Sequence, residues 1–326
     1  MKLKDGIPPF VREGPTVAAM LGTVTAALCS LLIIPVIRYG MRPVTMAGAA
    51  VLTCLLCESA GNLIRGKGFG VSDLSPVVTG LTAAMLLPLN APLWLPCAVG
   101  AFAILAAKVP FGSFGRNPFN PAAAGTAFAV LCWPSFLNLY FDPAKPYVLP
   151  PFADCTFQAG EPAAAVLKGG LMPDIYPMNI LLGEDAGPLG TGLGLVIGAC
   201  ALLLFLSRAA HWEATVSFLA VAVLLAAFFP RIACGPITST KYELLSGSLL
   251  FCAVFMISDP VTSPRTPFGR AVYGALAGVV LMAFRRRGVS GQSACFAVLA
   301  ANAMAPVIDA AEGRLRGWEG MANGTE

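Results

Sequence analysis

Apolar residues in this chain come in long, nearly uninterrupted runs, without the alternation of a half-buried strand or the narrow stripe of a soluble amphipathic helix. Ten such runs recur between residues 16 and 309, at 16–37, 43–64, 75–89, 92–109, 119–133, 188–207, 213–229, 242–257, 268–285 and 291–309. A helix needs about 20 apolar residues to cross the hydrocarbon layer, so the pattern predicts an all-α, polytopic helical membrane protein of about ten spans. The runs at 75–89 and 119–133 are too short to cross without help. Each abuts a proline-rich break, Pro88, Pro92 and Pro96 for the first, Pro118 and Pro121 for the second. The segment Met1–Pro15 has no small-residue cleavage site behind a short apolar core, and the first run reads as a retained helix.

Polar residues gather in one long connection, 134–187, rich in proline and carrying two lysines against six carboxylates. A connection of that length inside a compact fold is usually functional. It divides the chain into a first membrane half (1–133), an outer loop (134–187) and a second half with a short tail (188–326). Five spans on each side of the loop predict an internal duplication. An odd number of spans per half makes the two copies antiparallel, giving two inverted five-helix repeats. Thr79-Gly80-Leu81 and Ser246-Gly247-Ser248 would occupy matching places, as would the proline turns at Pro88-Leu89-Asn90 and Asp259-Pro260-Val261-Thr262. With the N-terminus inside, the loop falls on the outer face. Trp94, Trp133 and Trp212 sit at predicted span ends, where interfacial anchors belong.

Composition narrows the class further. The chain has 326 residues, 57% hydrophobic and 12% charged, with a mean hydropathy of +0.76. Soluble domains carry about 25% charged residues, so a soluble enzyme with a single anchor is excluded, as is a disordered chain. A net charge of +4 gives no nucleic-acid footprint. Most of the 10 cysteines lie in or beside apolar runs and behave as small hydrophobes, not as a disulfide framework.

Two groups of residues stand out chemically. In Gly115-Arg-Asn-Pro-Phe-Asn-Pro-Ala122, two Asn-Pro breaks sit at the mouth of an apolar span. Non-helical backbone at that depth is tolerated only inside protein or along a cavity. Asn117 and Asn120 each offer amide donors and an acceptor, suited to a heteroaromatic edge or, alternatively, to capping the next helix. The second group is ionisable residues within or at the ends of spans, Glu58, Asp259 and Asp309. Such residues are rare and usually functional.

The run at 115–122 resembles the signature of the D subunit of the Rnf ion-translocating oxidoreductase complex, whose relative is the B subunit of the sodium-pumping NADH:quinone oxidoreductase. Asp73-Leu-Ser-Pro-Val-Val-Thr-Gly-Leu81, Leu245-Ser-Gly247 with Ser258-Asp-Pro-Val-Thr-Ser-Pro264, and Phe296 to Asn302 with Pro306-Val-Ile-Asp309 agree with it in order. The short N-terminal extension favours the Rnf protein over its sodium-pump relative. The resemblance implies a flavin-binding subunit that couples electron transfer between ferredoxin and NAD to Na⁺ or H⁺ translocation, in a bacterial cytoplasmic membrane and alongside other Rnf subunits. It implies riboflavin near Asn117 and Asn120, and ion passage along Glu58, Asp259 and Asp309.

It also implies FMN esterified to a threonine of the outer loop, and here this chain departs from the pattern. The acceptor position falls on Gly160 or Glu161. Glycine has no side-chain oxygen, and a carboxylate would repel the phosphate. Thr156 is the one Ser or Thr between 136 and 187, in flanks that do not match. The expectation is therefore riboflavin or FMN held without a covalent bond. A cofactor-free channel or secondary transporter on the same inverted plan is the reading of another class.

Overall fold

The computed structural model describes residues 16–66, 73–112, 115–143, 149–152, 159–233, 235–287 and 292–322, the side chains of 315–322 excepted. It is a bundle of helices. In the first half these are α1 (Val17–Tyr39), α2 (Arg42–Ile64), α3 (Ser75–Met85), α4 (Trp94–Leu105, extended by a 3₁₀ turn at Val109–Phe111) and α5 (Pro121–Cys132). The connection holds α6 (Pro134–Leu137), α7 (Ala163–Lys168), α8 (Pro177–Leu181) and a two-residue antiparallel ladder of β1 (Tyr140–Phe141) with β2 (Ala159–Gly160). The second half has α9 (Gly194–Leu206), α10 (Trp212–Phe228), α11 (Pro236–Leu245), α12 (Leu249–Phe255), α13 (Pro267–Arg286) and α14 (Ser293–Ala322).

Five of these are long and apolar enough to span a bilayer: α1, α2, α4 with its 3₁₀ turn, α13 and α14 as far as Arg314. Shorter apolar helices, α3, α5, α9 and α10, complete the bundle. One of the ten predicted runs is divided in the structure. The run at 242–257 is two helices, α11 and α12, separated at Ser246–Ser248. Gly247 there has φ +66°, a left-handed conformation that costs glycine little. The matching stretch Thr79–Leu81 stays inside unbroken α3, where Gly80 packs so closely on α2 that an added Cβ would lie 2.7 Å from the Val51 Cα.

At 1.5 Å per residue α3 is about 16 Å long and α12 about 10 Å, against a hydrocarbon layer of about 30 Å. Their ends therefore lie inside protein, and their free backbone groups need partners. Leu189 and Gly190 N–H donate to the carbonyls of Leu87 (3.0 Å) and Met85 (2.9 Å) at the end of α3, and Gln292 Nε2 donates to Leu86 O at 2.5 Å. At the far end of α12, Ser258 O accepts from His211 N at 3.1 Å.

Packing follows one order in each half. α2 lies on α3 and α4, α4 on α5, and α1 on α3; correspondingly α10 lies on α11, α12 and α13, α13 on α14, and α9 on α12. Between halves, α1 meets α9 and α5 meets α14. The connection docks on the carboxyl end of α1: Arg38 Nη1 donates to Gly183 O at 2.6 Å and Leu149 N to Tyr39 O at 3.0 Å. Trp94 and Trp133 meet edge to face, with ring centroids 5.0 Å apart, where α4 begins and α5 ends. The eight cysteines among the described residues are free thiols.

Candidate functional site: a polar cavity at the amino end of the first helix

A cavity of about 850 Å³ opens among the first turns of α1, the start of α3, Lys108, the segment from Gly115 to Ala122, the turn after α12 and the middle of α14. Both halves of the chain contribute. The segment Gly115–Asn120 reaches it in a non-helical path that Gly115 permits at φ +89°. Gly125 then lets α5 lie flush on α4, since a Cβ there would fall 2.5 Å from Val99 O.

The two asparagines have separate roles. Asn120 caps α5: its Oδ1 accepts from Ala123 N at 3.1 Å, with Pro121 in the first turn. Its own N–H donates to Asn302 Oδ1 at 2.9 Å, and Asn302 Nδ2 donates to Tyr273 OH at 2.7 Å. The mouth of α5 is thereby fixed to α14 and α13. Asn117 caps nothing. Its Nδ2 donates to Phe119 O at 3.2 Å, while its Oδ1 is buried without a hydrogen-bond partner among the described residues, in a residue 6% exposed that lines the cavity. Leaving a buried acceptor unmet costs about 1–3 kcal/mol.

The carboxylates divide similarly. Asp259 and Asp309 line the same cavity as the asparagines. Asp259 Oδ1 accepts from Val261 N (3.1 Å) and Oδ2 from Thr262 Oγ1 (3.2 Å), closing the turn that ends α12. Asp309 Oδ1 accepts from Arg265 N at 3.1 Å, tying α14 to the segment before α13. Glu58 is not in the lining. It sits behind Lys108, its Oε2 2.9 Å from Lys108 Nζ, in a contact of charge without directed hydrogen-bond geometry. Lys108 is 2% exposed, donates to Ser75 Oγ at 2.5 Å and itself lines the cavity. Two helix amino ends, those of α3 and α5, and this ammonium thus converge on one chamber; all three favour negative charge.

Asn117, Asn120, Asp259 and Asp309 come from separate stretches of the sequence and share one cavity, which also takes in the motif-bearing turn Ser258–Pro264. The profile of the NQR2, RnfD, RnfE family matches residues 6–314. The chain belongs to that family. It is similar to the D subunit of the "Ion-translocating oxidoreductase complex" of Halorhodospira halophila, 29% identical over 92% of this chain and 91% of the relative. The protein of the same name from Cellvibrio japonicus is 31% identical over 80% of this chain and 79% of the relative. The D subunit of the "Na(+)-translocating ferredoxin:NAD(+) oxidoreductase complex" of Acetobacterium woodii is 28% identical over 92% of this chain and 91% of the relative.

Of the two positions in the connection expected to carry an acceptor threonine, Gly160 has no room for a side chain. Gly160 pairs with Tyr140 in the small ladder, and a Cβ at 160 would lie 2.8 Å from the Asp142 Cα. Glu161 is exposed just before α7. Thr156 lies outside the described residues. Nearby, Asp185 accepts from Ala163 N at 2.8 Å; burial pushes its carboxyl up to about 6, against the opposing pull of the Ala163 and Ala186 amides.

Lys108 and Tyr273 are the residues that the motif reading passes over, and Asn302 enters it only as the end of a motif, with no role. Lys108 carried a signal, being a lone cation closing an apolar run. Asn302 and Tyr273 each sit in apolar helices 29 residues apart, and nothing local announces that they bond.

Proposed function

We propose that this chain is the membrane-embedded D subunit of an Rnf-type ion-translocating oxidoreductase complex, and that the large cavity holds a non-covalent flavin, riboflavin or FMN. Membership of the NQR2, RnfD, RnfE family and similarity to D-subunit proteins over most of the chain support the first part. One observation carries the second: Asn117, whose Oδ1 is buried and unpartnered among the described residues, lines a chamber of about 850 Å³, within the roughly 300–1,000 Å³ of small-molecule sites. An acceptor of that kind matches a ring N–H.

The residues present fit such a group. Asn117 would receive its polar edge, and the apolar side chains of Val24, Val78 and Phe255 in the lining would take its faces. A flavin supplies one- and two-electron transfer when bound. The protein's contribution is to orient it, to exclude water, and to offer the positive ends of α3 and α5 with Lys108 as a counter to added negative charge. Asp259 and Asp309, in the same cavity, and Glu58, joined to it through Lys108, are the carboxylates we assign to Na⁺ or H⁺ passage. Cation affinity at these groups then depends on the charge held in the cavity, and coupling is that difference. The reactions with electron donor and acceptor, ferredoxin and NAD in the Acetobacterium woodii relative's name, we assign to partner subunits. The membrane is the bacterial cytoplasmic one, with the acidic connection outside.

Purification in mild detergent, an absorbance spectrum and acid extraction test this reading. The expected result is a flavin spectrum whose chromophore is released by acid. A colourless chain that still assembles with its complex would favour the cofactor-free transporter instead.

A further inference from the structure

Three uncharged polar side chains lie buried beside the large cavity: Thr262 in the turn after α12, Tyr273 in α13 and Asn302 in α14. Polar groups kept in an apolar interior need hydrogen-bond partners, and these three bond to one another. We propose that, given the assignment of Asp259 to ion passage, they form a polarised relay through which a proton or cation bound at Asp259 shifts the mouth of α5. Thr262, Tyr273 and Asn302 are then positioning residues for coupling.

The polarity of the chain follows from its fixed end. The Asn120 backbone N–H can only donate, so the Asn302 atom 2.9 Å from it is the acceptor Oδ1, which leaves Nδ2 for Tyr273 OH at 2.7 Å. The Tyr273 oxygen therefore accepts from Asn302 and sends its own proton onward. Its other partner is the Thr262 hydroxyl. Thr262 Oγ1 in turn donates to Asp259 Oδ2 at 3.2 Å, while Asp259 Oδ1 holds Val261 N at 3.1 Å. Every donor from the start of α5 onward thus points toward one carboxylate. Between Asn120 and Asp259 the relay holds no other charge; the charged groups that line the cavity with Asp259 are Lys108, Arg116, Arg265, Arg270 and Asp309.

Such a chain has two senses, and Asp259 selects between them. A hydrogen bond to a carboxylate is about twice as strong as one between neutral groups, and each bond in a chain polarises the next. A cation at Asp259 offsets that charge and weakens the series. A proton on Oδ2 makes the carboxyl a donor, so the Thr262 and Tyr273 hydroxyls must turn. Asn302 would then have to offer Tyr273 its Oδ1, the atom that holds Asn120 N. Either change loosens α5 where it joins the non-helical segment that carries Asn117 into the cavity. The reversible sense of the chain is the two-state element that coupling requires.

Infrared difference spectroscopy of the full chain in mild detergent tests the relay whether or not a flavin is bound. One arm replaces choline by sodium at constant ionic strength; the other steps from neutral to acid buffer. A carboxyl band that disappears in Asp259→Asn is expected in at least one arm, accompanied by a tyrosine band that disappears in Tyr273→Phe. Thr262→Val, which keeps the shape and removes the hydroxyl, should lose the tyrosine band and retain the carboxyl band; Thr262→Ser should restore both. Hydrogen–deuterium exchange over residues 119–124 should quicken under the responding condition in the native chain and in Thr262→Ser, and stay unchanged in Thr262→Val. A carboxyl band without a tyrosine band, a tyrosine band that survives Thr262→Val, or exchange in the native chain that does not respond would overturn the relay alone. Absence of any Asp259 band in both arms would remove Asp259 from ion passage and the relay with it.

Discussion

Replacing Glu58 by Gln isolates the most consequential charge pair in the first half. In the native chain the Lys108 ammonium is 2% exposed and has two neighbours, Glu58 Oε2 at 2.9 Å and Ser75 Oγ at 2.5 Å. The substitution removes the negative charge and keeps the shape, leaving a buried ammonium with neutral partners only. Breaking a buried pair by removing one partner costs about 3–5 kcal/mol. Lys108→Met strands Glu58 instead and should cost a similar amount. The double variant Glu58→Gln/Lys108→Met leaves no unpaired charge, so it should recover at least about 2 kcal/mol relative to the sum of the single effects. Unfolding of the purified chain in detergent, followed by near-ultraviolet circular dichroism, measures all four corners of the cycle. Single variants within about 0.5 kcal/mol of wild type, or strictly additive losses, would refute the claim that these groups neutralise one another inside the protein.

Other outcomes follow from the same geometry. Asn120→Ala removes a helix cap and should cost about 1 kcal/mol, while the contact with Asn302 survives because the donor is backbone; unfolding measurements on Asn120→Ala and Asn302→Ala separate the two contributions. Gly125→Val should push α5 off α4 and lower stability by about 1–3 kcal/mol, since even a Cβ at 125 would sit 2.5 Å from Val99 O; thermal unfolding in detergent reads that loss. Asp185 has its carboxyl raised from 3.8 to about 6. In that window the folded chain keeps a proton that the unfolded chain releases, so stability should fall as pH rises through it, by about 3 kcal/mol at most; Asp185→Asn, still able to accept from Ala163 N, should flatten that slope in unfolding curves taken between about pH 4 and pH 6.

Most of the membrane architecture was legible because burial in lipid and protein leaves long apolar runs, and the bounds of α1, α2, α10 and α13 fall within a few residues of those runs. What hydropathy does not resolve is backbone path inside an apolar stretch. The residues flanking Ser246–Ser248 are as apolar as those flanking Thr79–Leu81, yet one glycine sits at a helix break and the other allows two helices to touch. The Asn-Pro pair was visible as an anomaly, but the division of labour between Asn117 and Asn120 was not. Asn120 caps α5 and is held through its backbone N–H by Asn302, 182 residues away, while the Asn117 Oδ1 is left unclaimed among the described residues. Glu58 and Lys108 were each visible as costly residues. Their pairing depends on how α2 meets the end of α4, which no local pattern states.

The most direct measurement is flavin content of the purified chain with Asn117 intact and replaced by Ala, quantified by acid extraction and fluorescence, with helical content checked in parallel. Because the Asn117 Oδ1 makes no hydrogen bond among the described residues and its Nδ2 only a local one to Phe119 O, the account predicts a folded variant that has lost most of its extractable flavin. Equal flavin in both proteins, or none in either, would contradict it.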